Sequence, residues 1–458
     1  MHITNLNPDS DIGASAWLVE MDDCRLLMDS GMHPKRDGRA ALPLFSLADG
    51  KELDAIAISH CHHDHVGSLP VAMRHFRKAH VLMTELSYCL AGRVLHNSVN
   101  VMLRQRDEHG IREYPLFTHD QVEENEEQFQ GFKYQREVAW GAQTKARAGK
   151  ASPTVEFFDA GHTLGSAGML VRGQKQTLFF TGDVAFHDQT MLKAARFNGL
   201  RADVLIMETT RGDRVPTPGF TREKEIERLV AAIQRVVARG GCVLMPAFAL
   251  GRTQEILAQL SLMMDAGQIR RQPIYIGGLG KVFTEIYDHK AHLTNRHLHK
   301  LQLGEELQLI VLEREQLENL KLSGGRIFVL TAGMLTECTP AHDLAVRMMG
   351  DERQAIFFVG YADPQTPGGR LKASKPGETF VFSPSAGEVT RRCEVEEFDL
   401  TAHASREALL DFAGSISAKV ILLGHGDAVA RQWFEEQIHA RYPQIRVVQP
   451  APGLAVEA

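Results

Sequence analysis

The densest chemistry in this 458-residue chain lies in Ser59-His60-Cys61-His62-His63-Asp64-His65-Val66-Gly67, where four histidines and a carboxylate fall within six residues. Neutral imidazole and ionised carboxylate are good ligands for zinc, iron or manganese. If the chain is extended there, His60 and His62 point the same way, because side chains two apart share one face of a strand. Asp64 and His65 then fall in a turn entering a helix. Such a turn aims adjacent side chains at two centres. His63 is the spare and is expected to face away from the metals. The competing reading is a surface loop that happens to be rich in histidine. The apolar strand at 53–59, running straight into His60, argues against it.

Three distant residues supply what the cluster lacks. His162 sits in Gly161-His162-Thr163-Leu164-Gly165-Ser166, Asp183 in Thr181-Gly182-Asp183, and His425 in Gly424-His425-Gly426-Asp427. Each alone reads as an ordinary turn or cap residue. Beside the cluster they complete a set of seven metal donors.

The elements that must position these residues read as α/β. Residues 17–21 and 24–28 form a hairpin-like pair around Asp22-Asp23 and end at Asp29-Ser30-Gly31. Residues 169–172 and 176–180 form a second pair around Gly173 and end at Asp183. Apolar runs at 204–207 and 420–423 end at Glu208 and at Gly424-His425, and amphipathic helices are expected at 222–239 and 428–442. Polar chemistry thus gathers at strand ends, where α/β sheets usually place their active sites. The span 104–153 is polar, with an acidic run at 123–127, and reads as solvated surface with short helices. From about 210 to 385 the chain has its own alternation, with buried strands at 242–245, 327–330 and 355–359. That pattern suits a second domain inserted into the first.

Composition sets the outer bounds. Hydrophobic content of 44% and charged content of 24% are ordinary for a globular protein with a sizeable core, and the length suggests two or three domains. No apolar stretch of about 20 residues appears, so no membrane span is expected. The polar start, residues 1–17, does not read as a signal peptide. Six scattered cysteines include no Cys-x-x-Cys pair, which disfavours a cysteine zinc site and a disulfide framework. The cytoplasm is the expected compartment. A net charge of −6 is unlike the basic balance of many nucleic-acid binders. A local basic groove and bound cations are compatible with it.

These residues resemble the metallo-β-lactamase superfamily. The resemblance implies that His60, His62 and His162 hold one metal, that Asp64, His65 and His425 hold the other, and that Asp183 bridges both. It places Asp29 behind the ligands as an orienting carboxylate. The implied fold is α/β, an αββα sandwich, which also accounts for the two echoing hairpins. Two zinc ions are the expected cofactors, with manganese or iron as alternatives. Two dications, two carboxylates and a hydroxide leave about +1 at the centre, which suits a phosphodiester.

A second resemblance is to the β-CASP branch of that superfamily, whose members process RNA or DNA. Its acidic motif is matched by Glu208 in Met207-Glu208-Thr209-Thr210-Arg211, its histidine motif by His403 in Thr401-Ala402-His403-Ala404-Ser405, and its last motif by His425. Pro246-Ala247-Phe248-Ala249-Leu250-Gly251-Arg252-Thr253-Gln254-Glu255 is similar to the helix entry of the branch's inserted domain, as are Gly333-Met334, Gly360-Tyr361 and Thr366-Pro367-Gly368 further on. Tyrosine is commoner in the branch where Arg211 stands, and glutamate where Asp427 stands. The expected organisation is a first part at 1–209, an inserted β-CASP domain at 210–385 and a C-terminal part at 386–458.

The function so implied is a zinc-dependent ribonuclease acting on single-stranded RNA, with Asp183, His403 and Glu208 as catalytic residues. His403 is the expected general acid and Glu208 its orienting carboxylate. Arg252 is a candidate phosphate contact, and Lys133, Arg136, Lys145, Arg147, Lys150, Arg270, Arg271 and Lys281 are candidate groove cations. A nuclease preferring DNA, a hydrolase of small phosphodiesters or esters, and a silent scaffold of an RNA-processing complex are the alternatives. A homodimer is compatible with the sequence.

Overall fold

The computed structural model describes residues 1–140 and 152–458. The chain divides into two units. The first comprises Met1–Asp188, Leu192–Pro216 and His403–Ala458; the second comprises Gln189–Met191 and Thr217–Ala402.

Two seven-stranded sheets make up the first unit. One runs Ala455–Glu457, His2–Asn5, Trp17–Met21, Cys24–Met28, Ala55–Ala57, His80–Thr84, Phe129–Phe132. The other runs Arg446–Val448, Val420–Gly424, Val204–Glu208, Thr177–Phe180, Ala167–Arg172, Thr154–Asp159, Glu137–Ala139. Each sheet has an antiparallel half and a parallel half, joined at the second strand of a hairpin. Trp17–Met21 pairs antiparallel with Cys24–Met28, which pairs parallel with Ala55–Ala57. Ala167–Arg172 pairs antiparallel with Thr177–Phe180, which pairs parallel with Val204–Glu208. The two hairpins legible in the sequence therefore occupy equivalent places in the two sheets.

Side-chain alternation explains why both sheets are covered. Along the second sheet Phe157, Met169, Val171, Leu178, Phe180, Val204, Ile206 and Leu422 face one core, shared with Trp17, Val19, Leu26 and Met28 of the first sheet. Their neighbours Phe158, Leu170, Phe179, Leu205, Met207, Ile421 and Leu423 face another. That second core is closed by Leu409, Leu410, Phe412 and Ala413 of the helix Arg406–Ser415, and by Phe434 and Ile438 of the helix Ala428–Arg441. A strand buried on both faces has no polar side, so it reads as a continuous apolar run. Strands at 204–208 and 420–424 do so.

The polar span after residue 104 holds the short helix His119–Glu126 and the short strands Phe129–Phe132 and Glu137–Ala139. Just before it a 25-residue helix, Glu85–His109, is capped by the Thr84 hydroxyl and ends at Gly110 in the left-handed region. It buries Leu86, Leu90, Leu95, Val99 and Met102 along one stripe.

The second unit is built on six parallel strands in the order Leu309–Val311, Ile274–Ile276, Ile327–Leu330, Val243–Pro246, Ala355–Phe358, Glu394–Glu397. The expected return at residue 386 is moved by its last strand. Glu394–Glu397 pairs with Ala355–Phe358 and keeps the chain in this unit to Ala402. Its Glu-Val-Glu-Glu sequence does not look like a strand. Arginines of the helix Arg222–Ala238 and its C-cap Arg239 neutralise it: Arg228 meets Glu396 at 2.9 Å, Arg235 meets Glu394 at 2.5 Å, and Arg239 meets Glu394 at 2.5 Å. Charge on an edge strand also discourages pairing with other chains.

Candidate metal centre

The histidine turn is held by the backbone before any side chain acts. Ile58, just past the strand Ala55–Ala57, donates to the Leu82 carbonyl. His62 is extended, with φ of −70° and ψ of 152°, and leads into the short helix His63–Val66. The loop after Cys24–Met28 clasps that helix. Ser30 N–H donates to the His65 carbonyl at 2.8 Å and Met32 N–H to the His63 carbonyl at 3.0 Å, while Ser15 N–H donates to the Asp64 carbonyl at 2.9 Å. Gly31 is fixed by this embrace: a Cβ there would lie 1.7 Å from the Asp64 carbonyl oxygen.

Strand ends bring in the remaining donors. His162 follows Thr154–Asp159, and the Ser166 hydroxyl accepts from the N–H groups of His162 and Thr163, each at 3.1 Å. Asp183 follows Thr177–Phe180. His425 follows Val420–Gly424, which pairs in parallel with Val204–Glu208 so that Gly424 stands opposite Glu208. This register places Glu208 beside His425.

The donors form two groups. In the first, His60 Nε2 and His162 Nε2 each lie 3.2 Å from His62 Nδ1, and each lies 3.6 Å from Asp183 Oδ2. In the second, His65 Nε2 and His425 Nε2 are 3.1 Å apart, and His425 Nε2 is 3.3 Å from Asp64 Oδ2. Asp183 turns its other oxygen to this group, with Oδ1 3.4 Å from His65 Nε2 and 3.3 Å from His425 Nδ1. Asp183 therefore completes the first group with Oδ2 and sets Oδ1 beside His65 Nε2 of the second, on the Nδ1 side of His425.

These donors fit metal ions on two counts. A tetrahedral ion with ligands at 2.0–2.1 Å sets them about 3.3–3.4 Å apart; most donor separations here, 3.1 to 3.6 Å, bracket that edge, and His65 Nε2 to Asp64 Oδ2 is wider at 3.9 Å. Moreover, Asp183 Oδ1 is buried, and among the described residues no donor meets it in good hydrogen-bond geometry, His65 Nε2 standing 3.4 Å away. A buried carboxylate oxygen left in that condition is costly unless a cation faces it.

Hydrogen bonds behind the ligands aim their lone pairs inward. Asp29 Oδ2 accepts from His65 Nδ1 at 2.7 Å and from the Ser59 hydroxyl at 2.9 Å, while Oδ1 accepts from Ser59 N–H at 2.7 Å. With its proton on Nδ1, His65 offers Nε2 to an ion. Ser59 Oγ lies 3.1 Å from His60 Nδ1, and Thr210 Oγ1 lies 3.1 Å from His425 Nδ1. Burial opposes charge on His65, yet Asp183, Asp29 and Asp64 hold its pKa well above the usual imidazole range. Burial likewise opposes charge on Asp183, yet His425 and His65 hold it well below the usual carboxylate range. His60 is pushed down by burial and then by His65, which leaves its lone pair free for a cation.

A second constellation adjoins this one. Glu208 is buried and accepts from Val184 N–H at 2.7 Å. His403 Nδ1 lies 3.1 Å from Glu208 Oε2, and its ring centroid is 4.6 Å from that of His162. Burial lowers the His403 pKa, but the charge and hydrogen bond of Glu208 outweigh it and leave it raised.

Other candidates lie elsewhere. His63 is exposed, with Nδ1 3.3 Å from Ser98 Oγ, and belongs to neither donor group. Arg252 is buried in the second unit. Its guanidinium donates to the Leu400 carbonyl and, at 3.2 Å, to Gln189 Oε1, and burial lowers its pKa to about 10. Those bonds use two of its five N–H donors and give it a structural part in this unit. Lys133, Arg136, Arg270, Arg271 and Lys281 are exposed, and Arg271 pairs with Asp265. Lys145, Arg147 and Lys150 lie outside the described residues. Ser59 and Thr210 escape notice in the sequence, since a hydroxyl beside a motif gives no periodic signal.

Three family models match successive parts of the chain: the metallo-beta-lactamase superfamily at 10–219, the Beta-Casp domain at 253–371, and the Zn-dependent metallo-hydrolase RNA specificity domain at 388–450. Endoribonuclease YSH1 of Saccharomyces cerevisiae is 27% identical over 441 residues, covering 93% of this chain and 54% of its own. Cleavage and polyadenylation specificity factor subunit 3 of Dictyostelium discoideum is 26% identical over 463 residues, covering 100% of this chain and 57% of its own. The chain thus spans somewhat more than half the length of these relatives. A crystal structure of a protein of unknown function from Enterococcus faecalis V583 superposes with a TM-score of 0.58 at 13% identity, over 99% of each chain, and so shares the fold.

Proposed function

The chain belongs to the metallo-β-lactamase superfamily and to its β-CASP branch, and on that footing we propose that it is a metal-dependent ribonuclease with a dinuclear centre. The observation that carries the proposal is Asp183, which completes one donor group with Oδ2 and sets Oδ1 beside His65 Nε2 of the other, with no donor among the described residues in good hydrogen-bond geometry there. The relatives' names, endoribonuclease and cleavage factor, favour RNA as the substrate.

His60, His62, His162 and Asp183 would hold one ion; Asp64, His65, His425 and Asp183 would hold the other. Zinc suits the nitrogen-rich donor set best, with manganese or iron as alternatives. Such a pair of dications, when bound, supplies an activated water for attack on phosphorus and neutralises charge developing on the phosphodiester.

The chain's own residues do the rest. Asp29, Ser59 and Thr210 fix the ring orientations. Glu208 holds the Nδ1 proton of His403, so the protonated ring turns Nε2–H towards the substrate. His403 then delivers that proton to the departing oxygen, which would otherwise leave as an alkoxide. The raised His403 pKa suits an acid that must remain protonated near neutral pH.

The test is turnover of end-labelled single-stranded RNA, matched DNA and a generic phosphodiester by protein of known metal content. Cleavage of RNA, lost on chelation and restored by zinc, is expected. Intact RNA alongside turnover of DNA or of the generic substrate would replace RNA as the substrate. No turnover of any of them by protein holding two metals would leave a scaffold as the better reading.

A further inference from the structure

We propose that Thr210 is a positioning residue for the second metal: its single hydroxyl clamps both the ring and the backbone of His425. The inference rests on the dinuclear reading above and concerns a residue to which that reading gives only a general part.

His425 needs such a clamp. It is not glycine, yet its backbone has φ of 47°, in the left-handed region where a side chain is strained. The turn is crowded as well. A Cβ at Gly424 would lie 2.5 Å from the Trp17 ring, and one at Gly426 would lie 2.2 Å from Thr209 Oγ1. The histidine is therefore pinned between two glycines in a conformation it does not prefer.

Thr210 supplies two bonds from one oxygen. Oγ1 lies 3.1 Å from His425 Nδ1 and 3.3 Å from the His425 carbonyl oxygen. A hydroxyl has one proton to give and lone pairs to accept with. Since the carbonyl only accepts, the hydroxyl proton goes there, and the lone pair is left for Nδ1–H. That fixes the tautomer: Nδ1 carries the proton, and Nε2, which faces Asp64 and His65, keeps its lone pair. The same carbonyl also accepts from Thr209 N–H at 3.1 Å, so Thr209-Thr210 grips the strained residue from one side.

The alternative acceptor shows why the hydroxyl matters. Asp183 Oδ1 is 3.3 Å from His425 Nδ1 but lacks hydrogen-bond geometry with it. Without the threonine hydroxyl the Nδ1 proton is left to turn towards that oxygen. The turn would draw Nε2 off its line and occupy the Asp183 oxygen meant for the second ion. Asp29 does the corresponding work for His65 with a full charge. Thr210 does it with a neutral group, so two ligands of one ion are tuned differently.

The experiment is a competition titration of metal-free protein with zinc against a chromophoric chelator, read as two stepwise affinities. Thr210→Val keeps the shape and removes the hydroxyl; Thr210→Ser keeps the hydroxyl. Valine is expected to weaken the second step about 10–100-fold, the range for losing a hydrogen bond behind a ligand. The first step should stay within about twofold of wild type, and serine should restore the second. If valine does not fold, as judged by melting of the metal-free protein, Thr210→Ala takes its place in the same comparison. An unchanged second step, or equal weakening of both steps, overturns the role of Thr210. Failure of the wild-type protein to take up two ions overturns the dinuclear reading instead, so the two failures are distinguishable.

Discussion

Replacing Glu208 by glutamine tests the proposed general acid, because it changes charge at nearly constant shape. Glu208 is almost fully buried, with 1% of its side chain exposed against 21% for His403, and the two meet at 3.1 Å. A hydrogen bond to a charged partner contributes about 1.5–3 kcal/mol, and each pKa unit corresponds to about 1.4 kcal/mol. The amide can still accept from Nδ1–H but no longer favours the imidazolium. The His403 pKa should therefore fall. An acid catalyst works below its pKa and fails above it, so the alkaline limb of kcat should move towards lower pH. Bound cations would lower the pKa in both proteins, and the difference between them would remain. The assay is kcat against pH for wild type and Glu208→Gln, with metal content measured on both. Above the wild-type limb the variant should be about 10–100-fold slower, and on the acid side the two should converge. A loss of equal size at every pH, with the limb unmoved, would refute the pairing of Glu208 with a proton-donating His403.

Three further outcomes follow from the same geometry. His403→Ala should slow RNA cleavage by about 10²–10⁴-fold while both metals stay bound; loss of metal, measured by elemental analysis, would mean that His403 is a ligand. Asp183→Ala removes the carboxylate that, among the described residues, lies next to both donor groups, so metal content should fall below two and turnover should vanish; full activity would end the bridging role. Arg252→Ala strands the Leu400 carbonyl and Gln189 and leaves Glu255 with Arg222 as its remaining cation. Leaving a buried acceptor without its donor costs about 1–3 kcal/mol. Its denaturation midpoint should drop while folded protein retains two metals, and an unmoved midpoint would mean that the buried guanidinium contributes little.

Legibility in the sequence followed physical pattern. Trp17–Met21 and Cys24–Met28 are visible because turn residues interrupt two apolar runs, and the structure has those strands. Glu85–His109 is hard to see, because its apolar stripe is thin and polar residues crowd the rest of its surface. Glu394–Glu397 is invisible, because an edge strand neutralised by arginines from a distant helix carries no apolar signature. Arg252 shows a different limit: the motif suggests a phosphate contact, and only the fold reveals its burial and its bonds to a carbonyl and an amide.

By itself the sequence determined which atoms can bind a cation, because donor type is a property of the side chain and the His-x-His-x-Asp-His spacing sets two pairs of neighbours within one turn. It also determined that apolar strands lead into several of those donors. Only the tertiary structure decided that His162, Asp183 and His425 meet that turn. Strand register, with Gly424 opposite Glu208, is a long-range choice made by packing on both faces of a sheet. The fold also decided which nitrogen of each histidine faces inward, since Asp29 and Thr210 reach His65 and His425 across gaps of 36 and 215 residues in the chain. No local pattern encodes a hydrogen bond over such a distance.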